Sequence, residues 1–251
     1  MVRSGPERRP ARKTVRRMRP EDLTPTERRV WRAFATGGRA DLGDGRPENE
    51  PERTVRAEVI VALLRSETPP DAGGPAGRVP AVRLHGARIT GRIDLAGAEV
   101  RWLLSLYDCV LDRPPDFSHA TTRTIKINGC VLPGFAALWA HIGGHLALNG
   151  SRIGGTVELT GARVSGELRL NATRVRPGRG PGIDGGGMTV EGGCYGHRLD
   201  VTSGIRFPGG RFNGGVMLHG AIVDNPRGDA LNLENAQITR LRCNRGFTAT
   251  G

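Results

Sequence analysis

The sequence predicts a mainly β protein, a parallel β-helix whose chain winds into stacked coils behind a small N-terminal cap of two helices. Three observations support this fold class. Gly is abundant, with 38 residues, and aromatic residues make up only 4% of the chain, which is typical of repeat proteins. Residues 82–100 contain nearly the same pattern twice, eleven residues apart. Within each repeat, apolar and polar residues alternate and then meet a Gly or Ala, the pattern of short strands joined by turns.

Residues 1–19 are predicted to be a disordered basic arm, because they carry a net charge of +7 and almost no side chain that a core could bury. No apolar segment follows the arm, so it does not resemble a secretory signal. Two roles stay open for it: peripheral contact with nucleic acid or a membrane, and a purely solubilising role. The basic residues concerned are Arg8, Arg9, Arg12, Lys13, Arg16 and Arg17.

Residues 20–81 are predicted to form the helical cap region and a linker. The first helix follows Thr24, a good N-cap residue, with Pro25 at its first position and Glu27 completing a capping box. The second helix is expected to begin near Pro51 and to cover the otherwise exposed edge of the first coil. The apolar face that would lie over this coil is formed by Val55, Val59 and Leu63.

The β-solenoid is predicted over residues 82–251, with roughly seven coils and irregular structure at about 177–215, where the repeat loses its register. Alternate units differ in the residue that precedes the central apolar residue: odd units are never acidic there, and even units are never basic. A coil of two units, 21–22 residues long, separates these two types. The central residues are Leu84, Leu95, Leu106, Phe117, Ile127, Leu138, Leu148, Leu159 and Leu170.

Equivalent residues of successive coils should stack in a row along the solenoid axis, which we call a file, with neighbours in a file about 4.8 Å apart. An amide ladder is expected at one corner from Asn128, Asn149 and Asn171. Asn suits a corner because it tolerates the left-handed conformation. Cys109 and Cys130 are one coil apart and are interpreted as small buried residues, with a redox or metal role as the alternative. Cys243 occupies a central position and is expected in the core.

The repeats resemble the pentapeptide-repeat proteins over residues 82–175, and more loosely over 215–246. They differ because each pair of five-residue steps gains about one residue. This resemblance implies a right-handed coil. The wider layout over about 22–175 resembles bacterial proteins labelled "membrane-associated oxidoreductase". The segments that carry this second resemblance are LTPTERRVWRAF, ERTVRAEVIVALL and VPAVRLHGARITGRIDL.

Direct motifs for oxidoreductase chemistry are weak. The GxGxxG match at 180–185 is followed by GGMTVEGGCYG, which cannot form the helix whose N-terminus binds a pyrophosphate. The sequence has no CxxC pair, and His141 and His145 lie in strand-type sequence rather than on one helical face. We therefore predict no cofactor, no metal site and no catalytic residue. Four Cys without such spacing also favour a cytoplasmic location, with peripheral membrane contact as an option.

The net charge of +12 favours an anionic partner. Candidate residues for anion or partner binding are Arg83, Lys126 and Arg169 in one file, with Arg152 and Arg174 one coil apart in another. A scatter of surface arginines is the alternative reading. The charge of the solenoid also argues against mimicry of DNA, which needs an acidic surface.

Three function hypotheses follow. The first is a non-catalytic scaffold that binds a protein or anionic partner through a basic surface, with a homodimer through the C-terminal coils as an option. The second is the oxidoreductase that the second resemblance implies. The third is a carbohydrate-active β-helix enzyme, because Asp94, Asp116 and Glu158 line one face and paired carboxylates can cleave glycosidic bonds. A solvated charged face is the simpler reading, since no exposed aromatic platform for a sugar is evident.

Overall fold

A computed structural model shows a parallel β-solenoid of about eight turns with two helices in its N-terminal region. The structure describes residues 18–47, 50–67 and 79–251. The predicted fold class is confirmed. The six basic residues named above in the predicted arm, and most of the predicted linker, lie outside the described residues.

The two helices are α1 (Pro25–Ala35) and α2 (Ala57–Arg65). The predicted capping box of α1 is confirmed, because the Thr24 hydroxyl accepts the N–H of Glu27 at 3.2 Å and the Glu27 carboxylate accepts the N–H of Thr24 at 2.9 Å. A short 3-10 turn precedes α1 at Pro20–Asp22.

The prediction that the second helix begins near Pro51 is wrong. Pro51–Arg53 is a 3-10 turn, and the next three residues form a strand in which Val55 pairs with Ile89 of the first coil. The β-branched residues of this segment favour a strand, and the edge of the first coil supplies the partner. Val55 is therefore buried as a strand residue, while Val59 and Leu63 are buried on the helix.

The described residues contain 29 short strands. The first ten are β1 (Ala40–Asp41), β2 (Thr54–Arg56), β3 (Ala81–His85), β4 (Arg88–Thr90), β5 (Leu103–Tyr107), β6 (Val110–Leu111), β7 (Thr121–Thr122), β8 (Ile125–Asn128), β9 (Val131–Leu132) and β10 (Phe135–Ala136). The next ten are β11 (His141–Ile142), β12 (Leu146–Ala147), β13 (Arg152–Ile153), β14 (Val157–Glu158), β15 (Arg163–Val164), β16 (Leu168–Arg169), β17 (Arg174–Val175), β18 (Ile183–Asp184), β19 (Thr189–Val190) and β20 (Cys194–Tyr195). The last nine are β21 (Asp200–Thr202), β22 (Ile205–Arg206), β23 (Arg211–Phe212), β24 (Val216–Met217), β25 (Ile222–Asp224), β26 (Leu231–Asn232), β27 (Gln237–Ile238), β28 (Leu241–Arg242) and β29 (Thr248–Thr250).

These strands stack into four parallel sheets, one for each side of the coil. Face A contains β1, β3, β5, β8, β12, β16, β20, β24 and β28, and face B contains β2, β4, β6, β9, β13, β17, β21, β25 and β29. Face C contains β10, β14, β18, β22 and β26, and face D contains β7, β11, β15, β19, β23 and β27. The chain visits the faces in the order A, B, C, D, and apolar side chains from all four fill the interior.

Coil length agrees with the two-unit prediction. Residues of one file are 21 or 22 positions apart in the regular coils, as for Ile125, Leu146 and Leu168. Arg83 pairs within face A, whereas Asp94 bridges to the next coil within face C. Arg83 and Asp94 therefore occupy separate files, as the alternation of units predicted, whereas in the later coils the two types share a file, as Asp184 pairs with Arg206.

One predicted central residue is wrong. Ala136 pairs with Glu158, so Ala137 rather than Leu138 takes the central position, and Ala137 is fully buried. The rings of Phe117 and Phe135 stack in this part of the core, with their centroids 5.6 Å apart. Because two phenyl rings fill the space, the central position there takes a small residue and Leu138 moves into the turn.

The predicted irregularity at about 177–215 is wrong for most of that range. The register shifts once, between β17 and β18, where Val157 pairs with Ile183, 26 positions later. The spacing returns to 22 at Ile205. The inserted residues form a Pro- and Gly-rich loop at the corner between faces B and C, so the chain leaves the coil and re-enters it at one corner. A second insertion, between β25 and β26, lies at the same corner.

The predicted amide ladder is confirmed. The Oδ1 atoms of Asn128, Asn149 and Asn171 accept the backbone N–H groups of Asn149, Asn171 and His197, at 2.9, 3.0 and 3.0 Å. The predicted reason is wrong, because the left-handed residue is the next one along the chain. These residues are Gly129, Gly150 and Ala172, with φ of 66°, 67° and 54°. Asn is suited to the corner because its amide oxygen reaches a backbone donor one coil away.

The last coil, formed by β26 to β29, has no further coil packed on it within the described residues. Its core positions are only partly covered, and Leu241 is 46% exposed. Cys243 occupies a central position but is exposed, so its predicted burial is wrong. The homodimer through these coils stays a prediction.

The cap is fastened to the solenoid by Glu27 of α1, whose carboxylate contacts Arg56 of β2. Its carboxylate accepts hydrogen bonds from the backbone N–H and from Nε of Arg56, at 3.0 and 2.9 Å. It also forms an ion pair with Nη2 of Arg56 at 2.8 Å. Burial acts to raise the pKa of Glu27, but the bonds from Arg56 and Thr24 outweigh it and lower this pKa below its ordinary value. The charged form of Glu27 therefore stabilises the folded state.

We expect Glu27→Gln to lower the free energy of unfolding by about 2 kcal/mol at pH 7, because hydrogen bonds to charged groups contribute about that much. Since the folded pKa of Glu27 is lowered, its contribution is present above the ordinary carboxyl pKa and is lost as pH falls through the folded pKa. Urea unfolding at pH 7 and pH 3.5 measures both effects. Glu52→Gln, at an exposed side chain, is the control, and an equal loss for Glu27→Gln at both pH values would contradict the prediction.

Candidate functional site

The predicted basic file on face A does not form a continuous cationic strip. Arg83, Lys126 and Arg169 share one file, but Ser105 and Ala147 alternate with them. The three basic residues are therefore about 10 Å apart, two strand spacings. At that distance and at the surface, their charges act almost independently.

Two of these three cations already have partners. The guanidinium of Arg83 donates to the carbonyl of Gly37, just beyond the C-terminal end of α1, where a cation also suits the helix dipole. Arg169 forms an ion pair with Glu167. Lys126 is half-buried and has no side-chain partner among the described residues. Arg83 and Arg169 therefore have structural roles in this fold.

The second predicted pair is brought together on face B. Arg152 of β13 and Arg174 of β17 are direct neighbours in adjacent strands. Both are exposed, and neither forms an ion pair or a side-chain hydrogen bond within the described ranges. Arg176 lies on the same side two residues later and forms an ion pair with Asp200 at 2.6 Å. Sequence reasoning missed Arg176, although the alternation of a strand places it beside Arg174.

A groove of about 440 Å³ lies against these arginines. We call it the arginine groove and define it by its lining residues, which are Leu111, Val131, Leu132, Pro133, Arg152, Ile153, Gly154, Arg174 and Arg176. Leu111, Leu132 and Ile153 belong to the inward file of face B and are buried, so the apolar side chains that face the groove are those of Val131 and Pro133. The groove exists because Gly154 has no side chain between Pro133 and Arg176 in the neighbouring outward file.

Gly154 is not required by the backbone. It does not have a positive φ, and a Cβ built on it would come no closer than 3.9 Å to the carbonyl oxygen of Leu132 and the Cα of Pro133. In contrast, a Cβ on the adjacent Gly155 would collide with the carbonyl of Pro133. The empty space at Gly154 is therefore open to a side chain or to a ligand.

The predicted carboxylates form a file on face C. Asp94 bridges to Asp116, Ala136 follows, and Glu158 then pairs with Asp184, which sequence reasoning missed. Most of them hold turns: Asp94 and Asp116 accept backbone N–H groups two residues later, at 3.2 and 2.9 Å. Glu158 is exposed and lacks a side-chain partner among the described residues.

The expectation that no aromatic platform is exposed is wrong. Trp139 is 62% exposed and has a φ of 54°, a conformation that costs energy for a bulky residue. Its indole ring lies on Gly161 in the next coil, where a Cβ would collide with the ring. Glu158 lies on the strand that leads to this corner.

The cysteines take part in an internal ladder. The N–H of Cys109 donates to Sγ of Cys130 at 3.3 Å, and the N–H of Cys130 donates to the hydroxyl of Ser151 at 3.1 Å. Both thiols are buried, as predicted. Burial and the hydrogen bond with Cys109 raise the pKa of Cys130 well above its ordinary value, and burial raises the pKa of Cys194 to about 12. The thiols of Cys109 and Cys130 donate to the backbone carbonyls of Tyr107 and Asn128, and Sγ of Cys130 also accepts a backbone N–H.

The other motifs are dispersed in the structure. The glycine segment 180–185 leads into β18 and then β19, with no helix after it, and Asp200 is the partner of Arg176. His141 is exposed on β11, whereas Nδ1 of His145 accepts the N–H of Glu167 at 3.0 Å. Across the described ranges, no three His, Cys, Asp or Glu side chains are placed to hold a metal ion. The helices of those ranges are too short or too polar to cross a bilayer.

Two histidines follow the asparagine ladder at the same corner of the solenoid. The ring of His197 lies 4.9 Å from that of His219 and 6.2 Å from that of Tyr195, measured between centroids. Burial, followed by the nearby His219, Arg245 and Arg198, lowers the pKa of His197. The folded protein therefore favours the neutral imidazole at this position.

Comparison with protein-family models, curated proteins and solved structures finds no match for this chain. The arginine groove and the corner at Trp139 are thus defined by their own geometry.

We expect His197→Asn to reduce the acid sensitivity of the fold. Because the folded pKa of His197 is lowered, the unfolded chain binds a proton more readily, and wild-type stability falls as pH drops below about 6.5. Asparagine keeps the ladder geometry and does not titrate. Urea unfolding at pH 8 and pH 5 should show a smaller loss for the variant. His141→Asn, on exposed β11, is the control, and matching losses for wild type and His197→Asn would refute the prediction.

Proposed function

We propose that this protein is a non-catalytic interaction module of the pentapeptide-repeat type, with a right-handed coil, that binds an anionic partner through face B. The observation that carries the proposal is that Arg152 and Arg174 are direct neighbours and neither forms an ion pair within the described residues; Asp200, the next residue of their file, lies beside Arg174 but pairs with Arg176. Like charges in adjacent strands are destabilising. An anion placed between two such guanidinium groups gains their attraction and also relieves their repulsion.

The rigidity of the solenoid supports this role. The N–H groups of Arg152 and Arg174 donate to the carbonyls of Cys130 and Ser151 in the previous coils, at 2.8 and 2.9 Å. The two side chains therefore project from a fixed backbone, so little backbone entropy is lost when a partner binds. Arginine also suits the task because its planar guanidinium binds carboxylates and phosphates in a bidentate way.

A binding role is also favoured by how the potentially reactive groups are used. Asp94 and Asp116 cap turns, Cys109 and Cys130 complete a buried ladder, and Asp200 neutralises Arg176. Each group contributes to stability in its present position. The two unpaired arginines have no comparable structural task.

The binding test uses a labelled acidic peptide of alternating Asp and Glu. We expect the double variant Arg152→Ser/Arg174→Ser to bind it about tenfold more weakly, since exposed charge pairs contribute up to about 1 kcal/mol each. The wild-type affinity should fall with added salt, because surface charges are screened. Fluorescence anisotropy at 50 and 200 mM NaCl measures both.

The matched control is Arg163→Ser/Arg211→Ser, which makes the same change in net charge on face D. This control should bind the peptide nearly as well as the wild type. Equal losses in the two double variants would show that only the overall charge matters, and the proposed site on face B would then be wrong.

A second candidate function, carbohydrate binding with cleavage, is favoured by the exposed Trp139 and by the exposed carboxylate of Glu158 in the next coil. An aromatic ring offers a stacking surface, and a carboxylate can act as an acid or base. The test uses soluble hexasaccharides of glucose and of N-acetylglucosamine.

We expect Trp139→Gly to abolish their binding by calorimetry while keeping the fold, because Gly accepts the φ of 54° at that corner. Glu158→Gln should keep binding but lose the release of reducing ends. If wild-type protein binds neither sugar at millimolar concentration, this candidate is rejected.

A further inference from the structure

We infer that the arginine groove binds a single-chain aliphatic carboxylate, of the size of a medium-chain fatty acid. The inference rests on the proposed function, because it names a ligand class for the same arginines. Such a ligand needs a long apolar surface and a cationic end, and it does not need hydrogen bonds to the backbone. The arginine groove meets these conditions.

The groove is amphipathic along the axis of the solenoid. Its earlier coils contribute the apolar residues Leu111, Val131 and Pro133, and its later coils contribute Arg152 and Arg174. The strands from β6 to β17 are three coil spacings apart, about 14 Å. A ligand lying along the axis would therefore meet an apolar surface at one end and two guanidinium groups at the other.

The charge of the cationic end selects an acidic head group. Asp200 lies next to Arg174 in its file and forms its ion pair with Arg176, so Arg152, Arg174 and Arg176 together with this one carboxylate keep an excess of positive charge. Two guanidinium groups in adjacent strands can each donate to one oxygen of a carboxylate. A neutral head group would leave their mutual repulsion in place.

The backbone of the groove favours an aliphatic chain over a peptide. The N–H groups of Val131, Arg152 and Gly154 donate to carbonyls of the preceding coils, at 2.9, 2.8 and 2.9 Å, and Pro133 has no N–H. A peptide lying there would lose water from its own polar groups without a backbone partner in return. An aliphatic chain has no such groups to satisfy.

Gly154 provides the space for the chain and also the means to test it. A Cβ fits there without a close contact, so Gly154→Leu should fill the groove and leave the backbone in place. Pro133→Glu is a second variant at an exposed residue, and it places a negative charge at the apolar end. The two variants act by different means, so failure of one to fold leaves the other as a test.

The experiment measures binding of octanoate, decanoate and dodecanoate, each below its micelle concentration, to the full chain by calorimetry. We expect the dissociation constant to fall about two- to fourfold for each added CH₂ group. The lower value corresponds to a partly buried methylene group and the upper value to a fully buried one. Decanol should bind at least tenfold more weakly than decanoate. Gly154→Leu and Pro133→Glu should each weaken decanoate binding at least tenfold, and Arg152→Ser/Arg174→Ser should do so about tenfold.

Arg163→Ser on face D is the control and should bind decanoate as the wild type does. The inference is overturned if chain length has no effect, if decanol binds as well as decanoate, or if a folded Gly154→Leu or Pro133→Glu protein binds normally. Binding only to phosphatidylglycerol vesicles, and not to free decanoate, also overturns it and points to a membrane surface. Salt-sensitive binding of the acidic peptide without any decanoate binding rejects this inference alone and leaves the proposed function standing.

Discussion

The hydrogen bonds between successive coils are the constraint on which the rest of the structure depends. Strands of faces B and D donate N–H groups to the previous coil, as Arg152 does to Cys130, whereas strands of faces A and C donate mostly to the next coil, as Leu146 does to Glu167. Equivalent residues of successive coils must therefore lie one above the other, about 4.8 Å apart. A single coil cannot satisfy its own backbone, and stability comes from stacking. The cap follows the same rule, because β1 and β2 extend faces A and B by one strand each.

The corners create a second demand that side chains meet. Each regular coil places a residue of positive φ at two corners, most often Gly but also Asp108, Trp139 or Ala172. The turn leaves backbone N–H groups that the sheets do not use. Outside, amide oxygens of the asparagine ladder accept them, and inside, the file of Cys130 and Ser151 does so. Small polar residues in the core are therefore structural here, because a buried N–H without a partner is costly.

The length of a coil could be predicted from sequence, because the residues of one file recur at a nearly fixed spacing along the chain. The separation of Arg83 and Asp94, and the pairing of Arg152 with Arg174, follow from counting residues. Other features depend on tertiary contacts that spacing does not contain. The segment around Val55 becomes a strand because the first coil offers an edge, and Ala137 is central because Phe117 and Phe135 fill the core beside it.

The arginine groove belongs to the same group of features. It results from a missing side chain at Gly154, and it becomes visible only when the register places that glycine between Pro133 and Arg176. Trp139 was also missed, because its exposure depends on the glycine beneath its ring in the next coil. Sequence reasoning thus located the cations of the site but not the surface next to them.

Stacking in register makes every repeated charge the neighbour of a like charge, and the solenoid handles this in three ways. Neutral residues separate Lys126 from the other cations of its file. Opposite charges compensate elsewhere: Arg92 pairs with Asp116 at 3.1 Å, and Asp200 pairs with Arg176. Arg152 and Arg174 are adjacent, and Asp200 follows Arg174 in the same file but forms its ion pair with Arg176. Under the proposed function, an anion bound beside Arg152 and Arg174 would be attracted by both guanidinium groups and would also reduce the repulsion between them.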